Sequence, residues 1–426
     1  RRYFSMMLRT GRACRKLKAL ADRADIPVRD TVREQMKEIS DRLWMMNEAF
    51  WWHYITSAHS GSMSSALFMI LMADGMDTDS AKAKIAGVLE DIDGIESVDI
   101  LRSLRRAARA LLREKPDIGM LGVQELAQYL KTCGPESRRA LDEFLARHGH
   151  RAIREAEMRS RSWHADEESL CHYLKTVIAT GAEETAKTRA VDKNIEALLE
   201  GKNGLLRWAI RSIIAQARKG VVNREYTKSQ SIRVVDRFKK AYRHLAELMV
   251  REGLLADEDL IFFLRHEEIV RLADGSEPGL IKRAMARRRL LEQQKTFRFD
   301  EVCVGQPRPK PAMLRSADDA KVLTGISLSR GLATGRARVV CSVAEANDLQ
   351  PGEIMVAAFT DIGWSPYYCM LGALVTEMGS ALSHGAVVAR EYALPLVSGV
   401  ADATEVIRTG DIICVDGTTG TVAIVG

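Results

Sequence analysis

One histidine stands where the chain can do chemistry. His384 follows an apolar, β-prone run over residues 372–378, a short stretch of small or flexible residues, and Ser383, whose side chain suits the N-cap of a helix beginning at His384. The imidazole is therefore expected at a helix N-terminus, where orphan backbone N–H groups and the positive end of the helix dipole favour an anion. Gly379, Ser383 and Gly385 flank it. Their small side chains let phosphate oxygens approach the backbone, which makes them the candidate phosphate contacts. A neutral imidazole is a competent nucleophile near neutral pH, and a phosphoryl group is the cargo such a position suits. A lone histidine after a strand is more often structural, so its surroundings have to decide.

Two further cations have telling spacing. Arg224 and Lys228 stand four apart, so on a helix both project from one face. The plain alternative is an exposed pair beside Glu225. His148 and His150 are two apart in a helical pattern, with no carboxylate or cysteine completing a ligand set. They read as packing or acceptor-site residues, and no metal site is expected.

The elements that must position these groups divide the chain in two. Ile95, Val98, Leu101, Leu104, Ala108 and Leu111 recur at helical spacing, as do Val234, Phe238, Tyr242, Leu245 and Met249. The first 300 residues thus read as helical. Pro307, Pro309 and Pro311 then fall within five residues, the signature of a stiff linker. Beyond them lie 13 of the 30 glycines and the Val/Ile-rich runs Ala337–Cys341, Ile354–Ala358 and Ile412–Val415, with a hairpin expected through Asp416-Gly417. The fold class expected is multidomain α and α/β: a helical domain over 1–303, a linker over 304–319, and a β/β/α domain over 320–426.

Charge divides at the same place. Residues 317–426 carry six Lys/Arg against twelve Asp/Glu, and residues 1–316 carry 57 against 45, so a module of +12 is tethered to one of −6. The basic runs Arg105-Arg106 and Arg287-Arg288-Arg289 alternate with acids and lack interleaved aromatics, so they read as solvated helix faces and no nucleic-acid partner is expected. The apolar segment Met63–Ala73 is too short for a membrane span of about 20 residues, and no membrane association is expected. Seven cysteines without paired metal-type spacing fit a reducing compartment, so a cytoplasmic setting is expected.

The stretch Gly379 to Val397 resembles the phosphohistidine motif of the mobile domain of phosphoenolpyruvate-utilising enzymes. The match runs through Ala386, Ala389, Arg390, Glu391 and Pro395, then Ala403-Thr404 and Val415-Asp416-Gly417 to Gly420, and upstream through Thr360-Asp361 and Gly363-Trp364. The resemblance implies that His384 is phosphorylated and that its domain swivels. One departure is Ser380, where the family usually has a second glycine. The helical part is similar, more loosely, to the substrate-binding portion of rifamycin phosphotransferase-like proteins, over Gly94–Val98, Phe144–Trp163, Arg218–Lys228 and Gly253–Leu272. That likeness implies that Arg224 and Lys228 stabilise the transferring phosphoryl group.

The resemblance implies a dikinase-type phosphotransferase. ATP and Mg²⁺ would bind an ATP-grasp domain, in cis or in trans, because no phosphate-cradling glycine loop is evident in these residues. His384 would then carry the phosphoryl group to a hydroxyl of a small molecule held by the helical domain. Two alternatives stay open: a phosphoenolpyruvate synthase-like enzyme with its barrel on another chain, and a non-catalytic relative that serves as a binding module.

Overall fold

The computed structural model describes residues 2–181, 191–294 apart from 276 and 278, 297, 299, 303–309, and 322–425 apart from 342. Its first part is helical: α1 (Arg2–Arg23), α2 (Val32–Ser40), α3 (Trp44–Ala73), α4 (Thr78–Val88), α5 (Glu96–Glu114), α6 (Val123–Thr132), α7 (Pro135–His148), α8 (Glu167–Ala179), α9 (Val191–Leu199), α10 (Gly204–Arg251), α11 (His266–Ala273) and α12 (Gly279–Gln294). The apolar stripe from Val98 to Leu111 is the buried face of α5, whose first turn carries Glu96 and Asp99 against the helix dipole. The stripe from Val234 to Met249 is the buried face of the distal half of α10. α3 runs antiparallel to α10, tied where Ser231 donates to the Ala49 carbonyl and where Thr56 meets Thr227 at 2.6 Å. Gly220 lets the two helices close, since a Cβ there would lie 3.1 Å from Ser60 Cα.

The C-terminal part contains β1 (Val322–Thr324), β2 (Ile326–Ser329), β3 (Leu332–Val339), α13 (Val343–Ala346), β4 (Ile354–Ala357), β5 (Ala373–Thr376), α14 (His384–Glu391), β6 (Leu396–Ser398), α15 (Ala403–Val406), β7 (Ile412–Asp416) and β8 (Thr421–Ile424). They form a mixed sheet in the order β1-β8-β7-β3-β4-β5-β6-β2. Strands β3, β4, β5 and β6 are parallel, and antiparallel pairs flank them. The expected hairpin joins β7 to β8, with Asp416 opposite Thr421 and its carboxylate accepting from the Thr418 and Thr419 amides. The Pro307–Pro309 stretch carries no regular element, and residues 310–319 of the expected linker lie outside the described residues.

Strands β4, β5 and β6 are buried at every position and apolar except for Thr376 and Ser398 at their ends, because both faces of the sheet are covered there. Their two-residue alternation sorts side chains between two cores. Ile354, Val356, Ala373, Val375 and Val397 face one core, closed by Val400, Ala403 and Ile407. Met355, Leu374 and Leu396 face the other, where they meet Ala386 and Val388 of α14 and then Leu104, Phe144 and Leu174 of the helical part. That second core is continuous across the two parts. A file of rings crosses with it: Phe144 stacks on Trp163, Trp163 meets Tyr173 edge-on, and Tyr173 meets Tyr367 edge-on at 5.4 Å. The histidine-bearing unit is thus docked on α4, α5 and α8.

Candidate functional site

His384 is the first residue of α14. Ser383 before it is extended, at φ −62° and ψ 151°, and its hydroxyl accepts from the Ala386 amide. The capping expected from sequence is therefore present. Gly379 and Gly385 serve close approach. A Cβ on Gly379 would lie 2.4 Å from Ser398 Oγ, and one on Gly385 would lie 2.4 Å from Thr360 Oγ1. Ser380 is exposed and accepts only from the Leu382 amide, so its side chain does not crowd the histidine.

The His384 ring is buried between the two parts of the molecule, 5% exposed. On its own side, Nε2 lies 3.0 Å from Ser365 Oγ, which sits in the short 3₁₀ turn Ile362–Tyr367. On the other side, Nδ1 faces Glu225 Oε2 of α10 at 3.4 Å. That separation is longer than an ordinary hydrogen bond, and Nδ1 makes no hydrogen bond among the described residues. Glu225 is fully buried, receives the Arg224 guanidinium at 2.7 Å on Oε1, and accepts from Ser97 on Oε2. Arg224 also donates to the Leu382 carbonyl at 2.9 Å, two residues before the histidine. Helix α10 thus grips the loop that leads into α14.

Electrostatics fix the protonation states here. Burial pushes the His384 imidazole below its ordinary range, toward the neutral form, and Glu225 opposes this only in part. Burial by itself would raise the Glu225 carboxyl. Contact with His384 and the charges of Arg224 and Lys228 outweigh it and hold that group well below the usual carboxylate range. The pair is a neutral imidazole against an ionised carboxylate.

Lys228, one turn beyond Arg224, pairs with Glu155 at 3.2 Å, and the buried Arg151 holds the other oxygen of Glu155 at 2.8 Å. Neither Arg224 nor Lys228 is the exposed cation that the plain reading of the sequence allowed: their side chains are 22% and 24% exposed, and each is paired with a buried carboxylate. His53 on α3 contacts Thr227 between them and is held neutral, its pKa lowered to about 4 by burial and then by the charges of Arg224 and Lys228. Asp361, capping the 3₁₀ turn, accepts the Arg154 amide and so pins the loop of Glu155 to the histidine-bearing unit. A cleft of about 720 Å³, lined by Leu43, Met46, Met158, Tyr242, Phe263 and Leu290, lies elsewhere. Tyr242 is fourteen residues past Lys228 on α10, about 21 Å along the helix.

The structure therefore brings together His384, Arg224 and Lys228, and adds Glu225, Ser365 and Glu155, which sequence reasoning did not assign a role. The available signal for Glu225 was its place between two cations on one helix. His148 and His150 are packing residues: His148 meets Asp99 at 3.1 Å and His150 meets Ser229 at 3.2 Å. Among the described residues no group of three or more His, Cys, Asp or Glu is placed to hold a metal ion. Arg105 departs from the solvated face expected of it. It is buried against the docked unit, its guanidinium 5.9 Å from the centre of the Tyr392 ring.

Residues 349–420 match the family model of the PEP-utilising enzyme mobile domain, a span that contains Ser365 and His384, and residues 53–225 match that of the rifampicin phosphotransferase fourth domain, which contains His53, Glu155, Arg224 and Glu225. Rifampicin phosphotransferase of Streptomyces sviceus is 31% identical over 316 residues, 68% of this chain and 35% of that protein. The Bacillus cereus protein of the same name is 30% identical, over 70% of this chain and 35% of that protein. Prodigiosin synthesizing transferase PigC of Serratia marcescens is 30% identical, over 71% and 35%. This chain spans about a third of the length of these curated relatives. It contains a PEP-utilising enzyme mobile domain joined to a rifampicin phosphotransferase fourth domain, and over that third it is a relative of the rifampicin phosphotransferases, a phosphotransferase enzyme family.

Proposed function

We propose that this chain carries the shuttling and acceptor-side parts of a dikinase-type phosphotransferase. His384 takes a phosphoryl group from ATP, bound with Mg²⁺ on an ATP-grasp domain supplied in cis or in trans, and passes it to a hydroxyl of a small molecule held by the helical part. The observation that carries this reading is the position of His384, on the mobile-domain motif at a helix N-terminus and directly against the Arg224–Glu225–Lys228 face of α10. Arg224 and Lys228 supply cations where charge moves during the transfer. A histidine that carries the group splits one transfer into two displacements, and the buried ring is kept from water while docked. Reaching a nucleotide requires the unit to leave this docked position, which gives the Pro-rich stretch the role of hinge.

The acceptor is proposed only as a class. One group of relatives is named for rifampicin and another for prodigiosin synthesis, so this scaffold is compatible with more than one acceptor chemistry. No helix among the described residues is long and apolar enough to cross a membrane, and all seven cysteines are free.

The test is labelling. Mixed with the ATP-grasp domain of a relative and phosphate-labelled ATP, the chain should acquire an acid-labile, base-stable label that is absent in His384→Asn. Label retained in that variant would place the chemistry on another residue.

A further inference from the structure

We infer that Glu225 and Ser365 are positioning residues that hold the docked His384 as its Nδ1–H tautomer, leaving the Nε2 lone pair as the atom that makes and breaks the bond to phosphorus. The inference rests on the phosphoryl-shuttle reading for its chemistry, and on geometry for the tautomer itself. A neutral imidazole carries one N–H, and the groups facing its two nitrogens decide where. Nε2 faces the Ser365 hydroxyl at 3.0 Å, which is buried and can donate or accept by rotating. Nδ1 faces Glu225 Oε2 at 3.4 Å. An ionised carboxylate only accepts, and Glu225 is kept ionised by the Arg224 guanidinium on its other oxygen. With the proton on Nε2, a ring lone pair would point at a buried anion. With the proton on Nδ1, the N–H points at that anion and Ser365 donates to Nε2. The carboxylate therefore selects the tautomer and the hydroxyl follows.

The two residues lie on different parts of the molecule, and this gives the arrangement a direction. Ser365 shares a unit with His384 and travels with it. Glu225 is on α10 and meets the ring only when the unit is docked. In the transfer, the acceptor oxygen forms a bond to phosphorus, the P–Nε2 bond breaks, its electron pair returns to Nε2, and the hydroxyl proton passes to a phosphoryl oxygen and leaves with the product. If Nδ1 keeps its proton through this step, the ring departs as neutral imidazole; without it, the ring would depart as an imidazolate, a far poorer leaving group. Glu225 holds that proton in place on the acceptor side alone. Ser97, which donates to the same Oε2, fixes the carboxylate against rotation.

The tautomer is directly measurable without nucleotide or acceptor. In the full chain carrying ¹⁵N-histidine, long-range ¹H–¹⁵N correlation at pH 7, with the His384 signals identified by their loss in His384→Asn, should show protonated Nδ1 and unprotonated Nε2. Glu225→Gln should lose this preference, because an amide can donate to Nδ1 as well as accept from it. Ser365→Ala should retain it, since the carboxylate remains. A wild-type ring protonated on Nε2, or an unchanged tautomer in a folded Glu225→Gln, would overturn the inference. So would loss of the Nδ1–H form in Ser365→Ala. Should Glu225→Gln fail to fold, the wild-type and Ser365→Ala spectra still decide. Failure of the shuttle reading shows separately, as absence of label on His384 while the tautomer pattern stands.

Discussion

At the scale of single residues, burial sets what each substitution does. Arg224 and Lys228 each neutralise a carboxylate that is shut away from water, Glu225 and Glu155 respectively. Truncating either cation leaves a buried anion short of a partner, so Arg224→Ala and Lys228→Ala are expected to lose stability as well as transfer. The cost should be about 1.5–3 kcal/mol each, the range for hydrogen bonds to charged groups, measured by denaturant unfolding. A change near zero would return both residues to the surface. Because the fully buried Arg151 still holds Glu155 when Lys228 is gone, Glu155→Gln in the Lys228→Ala background should lose further stability by stranding that guanidinium, and a gain in the double mutant would contradict this. Ser380 is the opposite case. It is exposed and its hydroxyl accepts weakly from the Leu382 amide, so Ser380→Gly should shift stability by no more than about 0.5 kcal/mol and leave labelling of His384 as in the wild type. A large gain in labelling with glycine there would mean that the serine does restrict the loop.

At the scale of elements, docking depends on a close fit around the 3₁₀ turn. Gly363 has no room for a side chain: a Cβ there would lie 2.3 Å from Ile153 Cγ1 and 2.5 Å from its backbone nitrogen. Gly363→Ala should force the turn away from the loop of residues 149–166, at a cost of about 1–3 kcal/mol typical of overpacking. It should also raise hydrogen exchange in α14, since Glu391 accepts from the Ile92 amide and Tyr392 donates to the Val98 carbonyl only when docked. Unchanged protection of α14 would mean that the turn yields without undocking. The same interface bears on the proposed swing between sites. The unit has a complete core of its own on one sheet face, whereas the other face, with Met355, Leu374 and Leu396, is covered by helices of the first part. Residues 320–426 expressed alone should therefore melt cooperatively but at a lower temperature than the full chain, with an apolar face that binds hydrophobic dye. A disordered far-UV spectrum would rule out an independently folding unit and with it the hinge.

Across the whole molecule, histidine burial sets the response to pH. His53, His59, His148, His150, His164, His266 and His384 are all shifted downward, in each case first by burial. Between the folded and unfolded pKa of each, the unfolded chain binds more protons, so stability rises with pH in that window. The contribution is complete above about pH 6.5 and is lost as pH falls toward the folded values, about 4 for His53. The depressed pKa of Glu225 acts in the same direction, at lower pH still. The melting temperature is expected to fall steadily from pH 7 to pH 5. Each tenfold loss of proton affinity on folding is worth about 1.4 kcal/mol, so His53 alone contributes at most about 3 kcal/mol over its full window. His53→Asn should flatten the profile measurably, and a profile flat or rising toward pH 5 in the wild type would contradict the buried neutral histidines. The opposite net charges of the two parts add a long-range attraction between them, which salt should weaken.

What was legible in the sequence is what physics makes local. The cap at Ser383, the start of α14 at His384, the hairpin at Asp416-Gly417 and the stripe along α5 each depend on residues within a turn or two of one another, and each stands in the structure as expected. The division into a helical part and a mixed-sheet part is equally local, since it follows from the periods 3.6 and 2 repeated along the chain. The partners of His384 were not legible in that way. Glu225 was assigned no role and Arg105 read as a solvated charge because nothing nearby in the chain reports that α10 and α5 turn those side chains toward a unit encoded far downstream; Arg224 and the Leu382 carbonyl it holds are 158 residues apart. Local sequence placed His384 at the start of α14, behind the Ser383 cap. Only the tertiary structure decided which carboxylate faces it, because burial and charge pairing belong to the packing of α10, α5 and α14 together rather than to any one of them.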